Sequence, residues 1–322
     1  MALSDLAIFN EQTHSAYAEV MADVVAMFNE ASQGTMLLRA GNVTGDYSEE
    51  AFFGRVSNLI KRRNPSGTAA NPVTQMRHVR KNMVRIGLGT PTLDISETYG
   101  DWIGRDMSEQ AAAFGKMLAE ERLADYLSRA VSVLTACTVN RADVKYDATV
   151  APATAKMSYS NLALAADKFG DRAGYIRSWF MHTSARTALL LGNLANTTSL
   201  FSFGTVNVMS DAEGRAIISC DLSDLISGAN RLTLGLTEAA MVTEENPDFQ
   251  SNTERTNGLE NIMTTYQSQW SANISPKGYS FDTSLITQGV PPTDAALATP
   301  ASWTRHVDSH KDTAGVLLVT TV

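Results

Sequence analysis

Residues 158–190 read SYSNLALAADKFGDRAGYIRSWFMHTSARTALL, and residues 206–221 read VNVMSDAEGRAIISCD. The first stretch alternates element types. Ser158 and Ser160 offer N-cap oxygens to a helix whose Leu162, Ala165, Ala166 and Phe169 fall on one face. Phe169-Gly170-Asp171 ends that helix, because glycine tolerates the left-handed conformation that closes a helix. Tyr175 to Met181 is β-like and closes on Trp179-Phe180-Met181. His182-Thr183-Ser184 leads into a second helix, Ala185 to Leu194. The second stretch is a β-hairpin: Val206 to Met209, a turn over Ser210-Asp211-Ala212-Glu213-Gly214, and Ala216 to Ile218.

These residues resemble a known family. FGDRAGYIRSWFMHTSARTALL followed by VNVMSDAEGRAIISCDLSDL is similar to the A-domain core of tailed-bacteriophage major capsid proteins of the Hong Kong 97 fold. That core has a Gly-Asp, an apolar strand ending in Met-His-Ser, a helix, and a later strand–Gly–strand ending near Asp. Thr183 stands here at the usual Ser. The order of the flanking segments also fits, over nearly the whole chain.

Upstream of the core, Tyr17, Val20, Met21, Val24, Phe28 and Ala31 give one apolar helical face. It suits either a surface helix on its own domain or a helix laid across a neighbouring subunit. Residues 1–50 hold eight acids against Arg39 alone, a net of −7. Residues 51–93 hold eight bases and no acid, a net of +8. Asn64-Pro65-Ser66-Gly67 and Asn71-Pro72 mark turns. Val84, Ile86 and Leu88 alternate, as do Leu93 and Ile95, which suggests two strands around Gly89-Thr90-Pro91. Such a two-stranded excursion has little core of its own and needs a surface to lie on. Residues 107–136 form a long helix, with Ser108 as N-cap and a stripe of Phe114, Met117, Leu118, Leu123, Leu127, Ala130, Val131 and Leu134. Its length is about 45 Å.

Downstream, Leu232, Leu234 and Leu236 alternate into a strand that runs through Ala239-Ala240-Met241-Val242. Ile262, Thr264, Tyr266, Ser268, Trp270, Ala272 and Ile274 share a face at period two. A strand of that length reaches roughly 40 Å, at least twice the usual. A Pro276-Lys277-Gly278 turn stops it, and the chain closes on an apolar strand.

The 322 residues suit one large domain or two smaller ones. They are 44% apolar and 19% charged, enough for a packed core and against a disordered chain. A net charge of −8 argues against a general nucleic-acid binder and suits a surface that must not adhere to DNA packed beside it. Cys137 and Cys220 lie in apolar contexts without a CxxC partner and read as buried free thiols. The N-terminus shows no signal-peptide pattern. Residues 187–210 are uncharged, but Asn193, Asn196 and Asn207 argue against a membrane span.

No catalytic constellation is legible. His306 and His310 stand at i and i+4, but HVDSH lacks the Glu of a zinc-protease motif and a third ligand. His182 reads as a core histidine with a backbone hydrogen bond. No nucleophile elbow, P-loop or dinucleotide fingerprint occurs, and Asp94 and Asp101 read as solvated. No cofactor or metal site is expected, and the chain is not expected to be an enzyme.

The resemblance implies an α+β Hong Kong 97-like fold. Its parts would be an N-arm (1–50), an E-loop hairpin (51–104), a P-domain spine helix (105–152), an A-domain (153–235), then P-domain strands and a C-terminal segment (236–322). It implies a virion coat protein that assembles in the host cytoplasm into hexamers and pentamers of an icosahedral shell around double-stranded DNA, without sequence-specific binding. A separate scaffolding protein, a portal and a decoration protein are the further partners it allows. In this fold the E-loop lies over an adjacent subunit. Charge then selects Arg62, Arg63, Arg80 and Lys81 to pair with Asp23, Glu30, Glu49, Glu50, Asp101 and Asp106 of a neighbour. The alternatives are an encapsulin-like cellular compartment and a soluble α/β enzyme.

Overall fold

A computed structural model describes residues 3–41, 45–53, 60, 62–68, 70, 73, 78–96, 107–151, 155–192, 198–203, 206–210, 214–257 and 263–321. The chain opens with helix α1 (Leu3–Ala31), then β1 (Met36–Ala40), β2 (Tyr47–Phe53), β3 (His78–Gly89) and β4 (Leu93–Ser96). Helix α2 (Met107–Thr138) follows, then β5 (Lys145–Asp147) and helix α3 (Tyr159–Asp167). Strand β6 (Ile176–His182) leads to helix α4 (Thr183–Gly192), β7 (Thr198–Phe203), β8 (Val206–Ser210) and β9 (Ala216–Cys220). The last strands are β10 (Ile226–Ser227), β11 (Asn230–Thr237), β12 (Met241–Glu245), β13 (Gln250–Thr256), β14 (Met263–Pro276), β15 (Tyr279–Phe281), β16 (Trp303–Arg305) and β17 (Gly315–Thr321).

Strand β14 is the axis of the first sheet. It has 14 residues, so shorter strands line up end to end along both its edges. On one edge β12 pairs with Ala272–Pro276 and β13 with Met263–Gln269. On the other, β3 pairs with Gln269–Ile274 and β4 with Met263–Tyr266. The two strands expected around Gly89-Thr90-Pro91 are therefore not paired with each other. They are two parts of one edge laid on β14, bent where Thr90 N–H and Oγ1 both reach Ser268. The hairpin partner of β3 is β2, in register from Tyr47↔Val84 to Phe53↔His78. Residue 50, the expected boundary between arm and loop, falls inside β2.

The second sheet runs β5-β17-β11-β6-β9-β8-β7, with β10 on β11. Both faces of its middle are covered, which is why β6 reads apolar without alternation. Phe180, Ile218, Leu234 and Leu317 face α2, while Trp179, Met181, Ile217 and Leu318 face Leu162 and Ala166 of α3, Phe169 just after it, and Leu189 of α4. The C-terminal strand β17 lies inside this sheet, between β5 and β11, although its sequence position groups it with 236–322.

Local signals hold where they are short-range. Ser158 Oγ accepts from Asn161 N–H as the cap of α3, and Gly170 has φ +53°. Helix α4 starts at Thr183, two residues before the expected Ala185, because His182 and Ser184 order its first turn. Helix α2 begins at Met107, a residue ahead of the expected cap Ser108. The strand expected to run from Leu232 through Val242 is two strands. Ala239 takes φ +51° and donates its N–H to Gly34 O, so the chain turns from the second sheet (β11) into the first (β12). Gly235 of β11 makes room for the Trp179 side chain: a Cβ at this position would lie 2.5 Å from the Trp179 ring.

Helix α1 packs on α2 of its own chain, burying Phe9, Thr13, Tyr17, Met21, Val24 and Phe28. The helices come close at Gly115, where a Cβ would stand 2.8 Å from Thr13 O. Helix α2 touches both sheets through one core, joining Ile86, Ala272 and Ile274 to Leu234 and Leu317. Among the described residues, no helix is long and apolar enough to cross a membrane.

Candidate assembly surfaces

Strand β3 carries three bases of the basic segment, Arg80, Lys81 and Arg85. Cross-strand register sets Arg80 beside Glu49 at 3.7 Å and Lys81 beside Glu50 at 3.8 Å, within the same chain. Both pairs are long and solvent-accessible, so each stabilises by about 0–1 kcal/mol. Arg85 is held more firmly: Nη2 donates to Asp248 at 2.6 Å and Nε to Ser271 Oγ at 2.9 Å. Partial burial opposes charge on Asp248, but the Ser271 hydroxyl and N–H and the Arg85 guanidinium outweigh it and hold the carboxyl below the usual range. Arg62 and Arg63 precede the turn that Asn64 closes on Gly67, and both are exposed. Ile60 beside them is 96% exposed.

Of the acids expected to pair across subunits, Asp23 and Glu30 lie on the solvent side of α1. Glu49 and Glu50 face Arg80 and Lys81 in cis, as above. Asp101 and Asp106 lie outside the described residues.

A buried arginine holds α1, α2, β12 and β14 together. The Arg122 guanidinium lies 4.1 Å from the Trp270 ring centroid, 5.0 Å from Tyr17, 5.6 Å from Tyr126 and 5.7 Å from Phe249. Nη2 donates to Glu245 at 2.6 Å and Nε to the Tyr126 hydroxyl at 2.9 Å. The Tyr17 and Tyr126 hydroxyls also donate to Glu245, at 3.3 and 3.4 Å. Burial pushes both phenols well above their ordinary range, so they remain donors. The sequence did carry a signal for this site: Arg122 falls at i+4 from Leu118 and i−4 from Tyr126, inside the apolar stripe.

The histidines serve local structure. His182 Nδ1 accepts from Ser184 N–H at 3.1 Å and lies 2.8 Å from Ser184 Oγ, which also accepts from Arg231. The arrangement orders the start of α4. His306 and His310 share no helix. His306 Nδ1 bonds to Ser280 Oγ, and His310 Nε2 bonds to Lys168 O. Burial and the Lys81 charge push the His306 imidazole down to about 4. Among the described residues, no group of three or more His, Cys, Asp or Glu side chains is placed to hold a metal ion. Both cysteines are buried free thiols, and burial raises the pKa of each.

Residues 5–317 match the family described as Major capsid protein 13-like. No match was found among curated proteins. The fold is similar to the capsid asymmetric unit of cyanophage Pam1, with a TM-score of 0.50 and 10% identity over 87% of this chain and 86% of that one. It is similar to the head structure of Helicobacter pylori bacteriophage KHP40, with a TM-score of 0.50 and 10% identity over 91% and 88%. It is also similar to the capsid of Ralstonia phage GP4, with a TM-score of 0.50 and 8% identity over 90% and 88%.

Proposed function

Because the chain belongs to the major capsid protein 13-like family and is a structural, non-catalytic capsid protein with the Hong Kong 97-type fold, we propose that its copies close into hexamers and pentamers of an icosahedral shell around double-stranded DNA. One observation carries this reading. Two sheets and a 32-residue helix share a core in a single chain, while a basic hairpin with little core of its own leaves Ile60, Arg62 and Arg63 in solvent. Surface of that kind is covered in an assembly.

The parts then divide as N-arm, E-loop, P-domain and A-domain. Arg62, Arg63, Arg80 and Lys81 pair with acids of adjacent subunits, drawn from Asp23, Glu30, Glu49, Glu50, Asp101 and Asp106. The cis partners Glu49 and Glu50 are weak enough to be exchanged for partners in a neighbour. A separate scaffolding protein, a portal and a decoration protein are further partners, and assembly takes place in the host cytoplasm before the protein resides in the virion.

Nuclease treatment of native particles tests the cargo. Protected double-stranded DNA of one genome length is the expected result. Particles that protect only protein would mark a cellular compartment instead.

A further inference from the structure

Strands β15 and β16 pair from Tyr279↔Arg305 to Phe281↔Trp303, and Asp282 N–H donates to Ser302 O just beyond them. Residues 283–301 are therefore a loop whose two ends are clamped together. The loop is longer than the about 12–15 residues beyond which a connection with little regular structure usually serves a function. Leu297 is its one buried side chain, and Trp303 Nε1 donates to Leu297 O. Ile286 is partly buried, while Leu285 and Val290 are more than half exposed. Apolar burial holds so little of the loop that polar contacts must fix the rest.

Those contacts reach two places. At the tip, Gly289 takes φ +75° in a tight turn closed by Val290 N–H on Thr287 O, and Gly289 N–H donates to Asp46 Oδ2 at 3.0 Å. Asp46 O in turn accepts from Arg85 N–H, so the tip rests on the base of the β2–β3 hairpin. Further along, Thr293 caps a single helical turn, Asp294–Leu297, and Asp294 pairs with Arg129 Nη1 of α2. Asp125 holds Arg129 Nε at 2.8 Å. The turn borders a cavity of about 350 Å³ lined by Asp125, Ser128, Arg129, Ser132, Asp224 and Asp294 among others. Three carboxylates among these residues share one cation. Partial burial, and then the Asp294 charge, hold the Asp224 carboxyl above its usual range, so the two acids act on one another. We propose that residues 286–298 form a clasp that ties the base of the β2–β3 hairpin to helix α2, and that Asp224 keeps the clasp releasable by repelling Asp294. Arg129 draws the helical turn in and Asp224 pushes it out. Asp294 is mostly exposed, and ion pairs at such positions contribute little net stability, so the latch opens readily. An open clasp leaves Arg129 with Asp125 and takes Gly289 off Asp46, which frees the hairpin base from α2. The device belongs to the single subunit and does not depend on the assembly reading above.

Hydrogen–deuterium exchange of the full-length protein at neutral pH, read by mass spectrometry, tests the clasp. The reporters are peptides holding the bonded amides of Gly289, Leu297 and Ala298. Asp224→Asn should slow their exchange at least threefold, Arg129→Met should speed it at least threefold, and both should leave β11 and β17 unchanged. In an Asp294→Asn background, Asp224→Asn should have no effect, because the charge it repels is gone. A purely structural role for Asp224 would persist in that background. Unchanged or faster exchange in Asp224→Asn, or slowing that survives Asp294→Asn, overturns the proposal. Asp46→Ala tests the other end and covers the case in which Arg129→Met does not fold. It removes the acceptor at the tip and should speed exchange both at Gly289 and in the Asp294–Leu297 turn. Speeding confined to the tip would make the two contacts independent, which also overturns the clasp.

Discussion

At the scale of single residues, the most consequential side chain is Arg122. It is buried, ringed by four aromatics and neutralised by Glu245. Arg122 is buried and Glu245 half-buried, so Arg122→Met leaves a partly desolvated carboxylate without its cation and should destabilise the subunit by roughly 3 kcal/mol, the low end for a buried pair. Arg122→Met combined with Glu245→Leu should recover most of that loss, measured by chemical denaturation. A double variant as unstable as the single one would show that the aromatic contacts, not the charge pair, dominate. His306 gives the pH counterpart. The unfolded chain protonates this imidazole near its ordinary value, whereas the folded chain holds out to about 4. The folded state therefore binds fewer protons in between, and its contribution is complete above about pH 6.5 and declines as pH falls toward 4. The drop in Tm between about pH 7 and pH 5 should be smaller in His306→Asn than in the parent protein. An equal drop would assign the acid sensitivity elsewhere.

At the scale of elements, β14 organises the first sheet because four strands attach to it. Ser268 sits at its middle, paired with Ser251 on one edge, while on the other its N–H donates to Thr90 Oγ1, just past the end of β3. Ser268→Pro removes that donor at a central position and should leave protein that is soluble only in part and does not assemble, read by sedimentation of the expressed lysate. Soluble, assembling protein would contradict the role given to this strand. The elements also show what sequence reports. Period-two alternation from Ile262 to Ile274 and the cap at Ser158 are local patterns, and both match the structure over its described residues. Pairing is not local. Alternation in Val84, Ile86 and Leu88 announces a strand but not that its neighbours are β14 and β2. Nor does an apolar face on α1 say whose helix covers it; the small residue that admits it, Gly115, lies about a hundred residues away in sequence. Ala239 was illegible for a different reason: a positive φ on alanine is set by the sheets it joins, not by its own preference. Arg122 was legible in principle, as the one charge on a buried helical stripe, but its acceptor Glu245 is fixed only by the fold.

At the scale of the whole molecule, the acidic helix and the basic hairpin segment both present charge to solvent. The acidic α1 is docked on α2 of its own chain, so it contributes a solvated acidic surface, while the hairpin extends basic and apolar groups that the subunit leaves uncovered. The family and the fold make the chain a capsid subunit. The most direct test of that claim is electron microscopy of the purified, expressed protein across a range of concentrations. The account predicts closed shells, or rings of five and six subunits, whose reconstruction places the β2–β3 hairpin over an adjacent copy. A folded protein that stays a dispersed monomer at every concentration, with and without co-expressed scaffolding protein, would contradict it.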